Sequence, residues 1–152
     1  MTQPTADSRH TPRTLPAWTY RNAELNELEY ETLFRTSWQF ACHINEVRNP
    51  RDYMTLDLLH DSIIVLRDDA GTLRAFINAC RHRGSKVLDG SGQCKARMTC
   101  PYHGWSYHLD GALAGRPAES TFSGPSKETL GLRSIELEII CGLVFVRIVP
   151  GR

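Results

Sequence analysis

The 152-residue chain contains no apolar run approaching the ~20 residues needed to cross a bilayer. It also has almost no excess of charge: 18 Lys and Arg stand against 17 Asp and Glu, a formal net charge of +1. That balance argues against binding nucleic acid or a membrane surface through a bulk positive field. The N-terminus, MTQPTADSRHTPRTLPAW, has no apolar signal core and no adjacent arginine pair. The sequence is therefore expected to be unexported and cytoplasmic. No internal repeat or low-complexity tract divides the chain, and its length suits one domain with its own core. Cysteine is scarce and odd in number, at five. In a reducing compartment an odd count argues against a disulfide framework and makes metal binding the better use for clustered cysteines.

The elements that are present alternate as a β-rich protein would. Residues 1–16, rich in Thr, Pro, Ser and Arg, read as a flexible tail. Asn22 can cap a helix over about 23–35, with Glu24 in its first turn. Leu25, Leu28, Tyr30, Leu33 and Phe34 recur at roughly helical spacing, and this stripe is expected to dock on the downstream part of the chain. YMTLDLL, SIIVLRD and TLRAFIN read as three strands, the last with Leu73, Ala75 and Ile77 on one face and Arg74, Phe76 and Asn78 on the other. RMTC reads as a short strand, and WSYHLDGALAG as a hairpin whose Asp110-Gly111 suits a tight primed turn. RSIELEII and GLVFVRIV close the chain as strands after a loop over 114–130. The expected fold is mainly β, an antiparallel sheet assembly with one N-terminal helix.

Chemistry concentrates in NACRHRGSKVLDGSGQCKARMTCPYHGWSYHLDG, which holds three of the cysteines and three of the six histidines. Cys80-x-His82 lies in one loop and, with seventeen residues between, Cys100-x-x-His103 lies in another. Each is fed by a strand, so the loops can face each other at one end of a sheet assembly. Gly84 and Gly104 free the backbone to wrap closely and to aim amide N–H groups at sulfur. Two soft and two imidazole donors permit a tetrahedral zinc site or a mixed-ligand cluster of two irons and two sulfides. Zinc spacings commonly pair like with like, whereas each loop here gives one donor of each kind, which favours the cluster.

At these residues the sequence resembles the Rieske domain of ring-hydroxylating, non-haem iron oxygenase α subunits. The likeness runs from about Leu15 to Val149 and includes LPAWTY, FRTSWQFACHINEV, DYMTLDLL and GLVFVRIV. It implies a Rieske-type β assembly over 17–150 with cluster loops at 80–85 and 100–105. It implies a [2Fe-2S] cluster whose inner iron is held by Cys80 and Cys100 and whose outer iron is held by His82 and His103. Around these four stand Arg83, Gly84, Tyr102, Gly104 and Trp105. Rieske proteins of respiratory complexes carry a disulfide across these loops, but Ser85 and Tyr102 occupy the matching positions here. They also carry a serine that bonds a cluster sulfur, where this chain has Trp105. Without that donor the potential is expected near the low end of the Rieske range, on the order of −100 mV.

In that family the domain relays single electrons from a ferredoxin or flavin reductase to a mononuclear Fe(II) in a catalytic domain, for O2-dependent hydroxylation or demethylation. The receiving domain belongs to the same or a neighbouring α subunit of a trimer. That iron sits in a facial triad of two histidines and a carboxylate. His103 and His108 match the family's His-x4-His formally, but His103 belongs to the cluster set and the helical context is absent. The resemblance thus covers an oxidoreductase's electron-transfer part, with the catalytic domain absent and no hydroxylation expected of this piece alone. A free-standing Rieske-type ferredoxin and a zinc-stabilised binding module are the alternatives. Arg81 and Arg83 read as potential-setting, partner-docking or plain loop charges, and Tyr107 as a donor to a cluster cysteine or as hairpin core. Cys42, Cys94 and Cys141 read as packing residues, and His43, His60 and His108 as structural or surface residues, with His10 in the tail.

Overall fold

The computed structural model describes residues 14–117 and 124–150. Among the described residues ten strands dominate: β1 Gln39–His43, β2 Asp52–Leu58, β3 Asp61–Arg67, β4 Leu73–Ile77, β5 Ser91–Gln93, β6 Met98–Thr99, β7 Ser106–Tyr107, β8 Leu113–Gly115, β9 Glu136–Ile140 and β10 Leu143–Arg147. They form three antiparallel sheets, in the orders β1-β10-β9, β4-β3-β2-β5 and β6-β7-β8. One α-helix, α1 Ala23–Glu29, precedes them. The expected mainly β assembly with a short N-terminal helix is what the chain forms.

Strand β3 explains the layering. Ile63, Ile64, Val65 and Leu66 are all fully buried, the pattern of a strand covered on both faces. Because side chains alternate, Ile63 and Val65 enter one apolar cluster with Cys42, Val144 and Val146. Ile64 and Leu66 enter a second cluster with Phe76, Met98, Trp105 and Tyr107. The pairing Ile64↔Phe76 and Val65↔Ala75 carries the same division into β4. There Ala75 joins the first cluster and Phe76 the second, as the alternation of TLRAFIN requires. Each large apolar side chain contributes about 1.5–3 kcal/mol by leaving water, so the central sheet binds the two sides together. The second cluster contains Cys80 and Cys100, which ties the candidate site directly to this core.

Several local expectations need correction. Asn22 does cap α1, its side chain accepting from the Leu25 N–H at 2.7 Å. The helical path then continues as a π turn over Tyr30–Phe34, closed by the Arg35 N–H on the Tyr30 carbonyl. Its apolar stripe does not dock: Leu28 and Leu33 remain 57% and 55% exposed, and only Tyr30 is buried. The surface it meets is the polar β2–β3 turn. The Tyr30 hydroxyl bonds Asp61, Arg35 reaches Asp61 at 3.4 Å, and Glu27 meets His60 at 3.0 Å. Polar contacts therefore anchor this segment.

At Asp110-Gly111 the reversal between β7 and β8 is wider than the expected two-residue primed turn. The Gly111 N–H bonds the His108 carbonyl at 3.0 Å, and the His108 N–H bonds the Ala112 carbonyl at 2.8 Å. The expected loop over 114–130 contains the end of β8 and a 3-10 turn at Lys127–Thr129, while 118–123 lie outside the described residues. So do residues 1–13, most of the expected tail. Strands β1 and β5 were not expected. A bulge between Phe40 and Cys42 breaks the alternation of β1, and β5 is an exposed Ser-Gly-Gln. Among the described residues no helix is long and apolar enough to cross a membrane.

Candidate metal centre

The two Cys-His loops are built on one backbone plan. In the first, the Gly84 N–H bonds the Cys80 carbonyl at 2.8 Å, and the Cys80 N–H bonds the Ser85 carbonyl at 2.8 Å. In the second, the Gly104 N–H bonds the Cys100 carbonyl at 3.1 Å, and the Cys100 N–H bonds the Trp105 carbonyl at 2.8 Å. Gly84 and Gly104 hold φ of +74° and +72°, a left-handed turn that a side chain resists by about 1–2 kcal/mol. Although the sequence shows no repeat, the chain has made the same loop twice. The histidine sits two residues after the cysteine in one and three after it in the other.

This plan brings the four candidate donors together in pairs. The Nδ1 atoms of His82 and His103 lie 3.1 Å apart, with their rings edge-on at 4.6 Å. Behind them Cys80 and Cys100 are buried neighbours. Among the described residues no three Cys, His, Asp or Glu side chains converge on one single-ion position. Two thiols and two imidazoles, one of each from either loop, suit a mixed-ligand two-metal group. The donor chemistry therefore fits a bridged pair of irons.

The surroundings shape this centre unevenly. Trp105 is buried and stacks parallel to His82, with centroids 5.0 Å apart and planes 8° apart. Tyr102, itself exposed, covers His103 at 3.8 Å. Tyr107 is wholly buried and fills both of the roles its position allowed. It is hairpin core, and its hydroxyl lies 3.2 Å from the Cys80 Sγ while accepting the Arg81 N–H at 2.9 Å. Burial raises the Tyr107 pKa well above the phenolic range, and the Cys80 bond adds to this. The Cys80 thiol is likewise pushed up by burial; the Tyr107 hydroxyl and the His82 N–H lower it, and the neighbouring Cys100 raises it again. Desolvation, then His103 and Arg83, hold His82 below the usual imidazole value. The Arg81 and Arg83 side chains are exposed at the rim.

The remaining cysteines and histidines stand apart. All five cysteines are free of disulfides. Cys42 and Cys94 are buried, and burial pushes both thiols up to about 11, the state of inert packing residues. Cys141 is exposed in the β9–β10 turn. His43 caps a 3-10 turn, His60 pairs with Glu27, and His108 is exposed at the hairpin reversal. His10 lies outside the described residues. Sequence reasoning gave Asn78 no role beyond its strand face, yet its buried amide, at the outgoing end of the first loop, bonds Val87 and Leu88 at the returning end. A polar residue on a core-facing strand position was the available signal.

Comparison with known proteins agrees with this geometry. The family model described as the Rieske [2Fe-2S] domain matches residues 37–136. The chain is 36% identical over 133 residues to the carnitine monooxygenase oxygenase subunit of Acinetobacter pittii, covering 88% of this chain and 36% of that one. It is 35% identical over 128 residues to the anthranilate 1,2-dioxygenase large subunit of Acinetobacter baylyi, covering 84% of this chain and 27% of the other. Among solved structures, a quaternary ammonium Rieske monooxygenase with γ-butyrobetaine superposes with a TM-score of 0.84 at 35% identity, over 90% of this chain and 39% of that one. Naphthalene 1,2-dioxygenase from Rhodococcus sp. superposes with a TM-score of 0.79 at 34% identity, over 89% and 31%. The chain thus spans roughly a third of the length of these relatives. From the paired loops to the matched family, the chain belongs to the Rieske [2Fe-2S] domain family and corresponds to the Rieske part of oxygenase subunits.

Proposed function

We propose that this chain is the electron-relay domain of a Rieske oxygenase α subunit, with Cys80 and Cys100 holding the inner iron of a [2Fe-2S] cluster and His82 and His103 the outer one. The observation that carries this is the pairing of the loops, with the two imidazole Nδ1 atoms 3.1 Å apart in front of two buried thiols. Such a group takes up and returns one electron at a time, and imidazole ligation makes it easier to reduce than an all-cysteine cluster. The chain's own residues prepare its surroundings. Trp105 and Tyr107 wall off water on the core side. The Tyr107 hydroxyl accepts from the Arg81 N–H and directs its own proton toward the Cys80 sulfur. His103 is exposed and His82 half-buried, so the imidazole side faces outward, where a partner can approach.

The partners follow from the same reading: a ferredoxin or flavin reductase as donor, and a catalytic domain with mononuclear iron, in this or a neighbouring subunit of a trimer, as acceptor. A reducing compartment, the cytoplasm, suits five free cysteines. Relatives of nearly equal identity are named for carnitine and for anthranilate, which supports the reading that substrate choice belongs to the catalytic domain. The test is electron uptake. The chain, loaded anaerobically with iron and sulfide, is mixed with a ferredoxin, its reductase and NADH. Uptake of one electron per chain is expected, and a loaded chain that stays oxidised contradicts the relay role.

A further inference from the structure

Asn78 is one of two buried polar side chains among the described residues, at 2% exposure. The chain leaves β4 at this residue, runs out through Cys80 and His82, and returns at Val87 and Leu88. The second cluster loop needs no such residue, because β6 and β7 pair across its base, Met98 with Tyr107 and Thr99 with Ser106. No strand pairing closes the base of the first loop among the described residues. Beyond Leu88 the chain moves on to β5, which pairs with β2 instead.

The Asn78 side chain stands where that pairing is missing. Its Oδ1 accepts the Val87 N–H at 2.8 Å and the Leu88 N–H at 3.1 Å. Its Nδ2 donates to the Leu88 carbonyl at 2.7 Å and to the Ser62 Oγ at 3.1 Å. Its backbone N–H donates to the Ser62 carbonyl at 2.7 Å. A carboxamide offers two donors and two acceptor positions, and all four are used. One side chain therefore ties the outgoing end of the loop, its returning end and strand β3 together.

We propose that Asn78 is a positioning residue for the metal centre, closing the base of the first loop so that Cys80 and His82 are held in register against Cys100 and His103. The inference rests on the reading that these four residues hold an iron–sulfur group. Asn78 acts through the loop backbone rather than on the four donors themselves.

The test uses the whole chain with Asn78→Ala and, as a control, Val144→Ala, a fully buried change in the opposite apolar cluster. Hydrogen exchange of the metal-free protein is expected to speed up by about ten- to a hundredfold at the Val87 and Leu88 amides, while the Gly104 amide of the second loop keeps its protection. In iron- and sulfide-loaded protein, Asn78→Ala is expected to lose colour to a chelator about tenfold or more faster, whereas Val144→Ala lowers Tm without that acceleration. Unchanged exchange at Val87 and Leu88, or colour loss that merely follows Tm across both variants, overturns the proposal. Should Asn78→Ala not fold, Ser62→Ala removes one of the four contacts and is expected to raise exchange at the same two amides by a smaller factor; no rise overturns it. Wild-type protein that never takes up colour overturns the underlying iron–sulfur reading instead, while the exchange measurement still decides whether Asn78 closes the loop.

Discussion

Replacing Tyr107 by Phe should lower the reduction potential of the loaded centre while leaving the fold in place. Tyr107 has no exposure, and Phe retains its ring, so packing loses one hydroxyl and little else. The hydroxyl accepts the Arg81 N–H at 2.9 Å and lies 3.2 Å from the Cys80 sulfur; a metal-bound thiolate carries no proton, so in the loaded protein the hydroxyl is the donor of that pair. A hydrogen bond to sulfur stabilises the reduced state more, because that state carries one more negative charge. If the difference between states is about 1 kcal/mol, within the usual net value of a hydrogen bond, the midpoint falls by about 40 mV, since 59 mV is tenfold for one electron. A dye-mediated redox titration of wild-type and Tyr107→Phe protein, followed by visible absorption, measures this shift. The direction matters more than the size. An unchanged or raised midpoint in a variant that still holds its full complement of iron would refute the donor role of Tyr107.

Other substitutions separate the forces at work. Gly84→Ala meets no atom within 4 Å and carries only the backbone cost of its positive φ, about 1–2 kcal/mol by chemical denaturation. Gly111→Ala drives a methyl into the Phe76 ring and should cost about 1–3 kcal/mol more than Gly84→Ala in the same assay. Trp105→Ala removes a buried side chain stacked on His82; a loss of about 3–5 kcal/mol in unfolding free energy is expected, with faster bleaching of loaded protein. Asp68 contributes to acid stability. Burial pushes its pKa up, but the Arg74 ion pair and the N–H groups of Thr72 and Ala70 outweigh it, so its folded pKa lies below the ordinary 3.8. Its contribution is therefore fully present above that value and is lost as pH falls through the folded pKa. Acid titration of metal-free Asp68→Asn should show a lower plateau stability near neutral pH, and its deficit should shrink as pH falls through that range.

Much of this arrangement was legible in the chain, for reasons that differ by residue. That Cys80, His82, Cys100 and His103 would come together was legible because two short spacings confine each Cys-His pair to one turn. SIIVLRD and TLRAFIN were legible as strands and the two faces around Phe76 followed from alternation, whereas the burial of Ile63–Leu66 on both sides emerged only from the structure. The helix misled because spacing records where apolar residues fall, not what they meet: the neighbouring turn offers Asp61 and His60, so Tyr30 and Glu27 make the contacts and Leu28 faces outward. Strand β1 was hidden by its bulge, and β5 by the absence of any apolar residue. The identity of the two loop backbones was invisible because it resides in hydrogen bonds, while the residues at matching steps, His82-Arg83 and Tyr102-His103, differ. The closing role of Asn78 depends on the missing strand partner, a fact of topology that no local pattern encodes.

Iron and sulfide analysis of anaerobically reconstituted protein, read with its visible spectrum, tests the metal centre most directly. Two irons and two acid-labile sulfides per chain, with a red-brown colour that fades on reduction and is abolished in Cys100→Ser, are the expected result. Colourless protein that retains zinc in preference to iron and sulfide, or a full cluster in Cys100→Ser, would contradict the assignment.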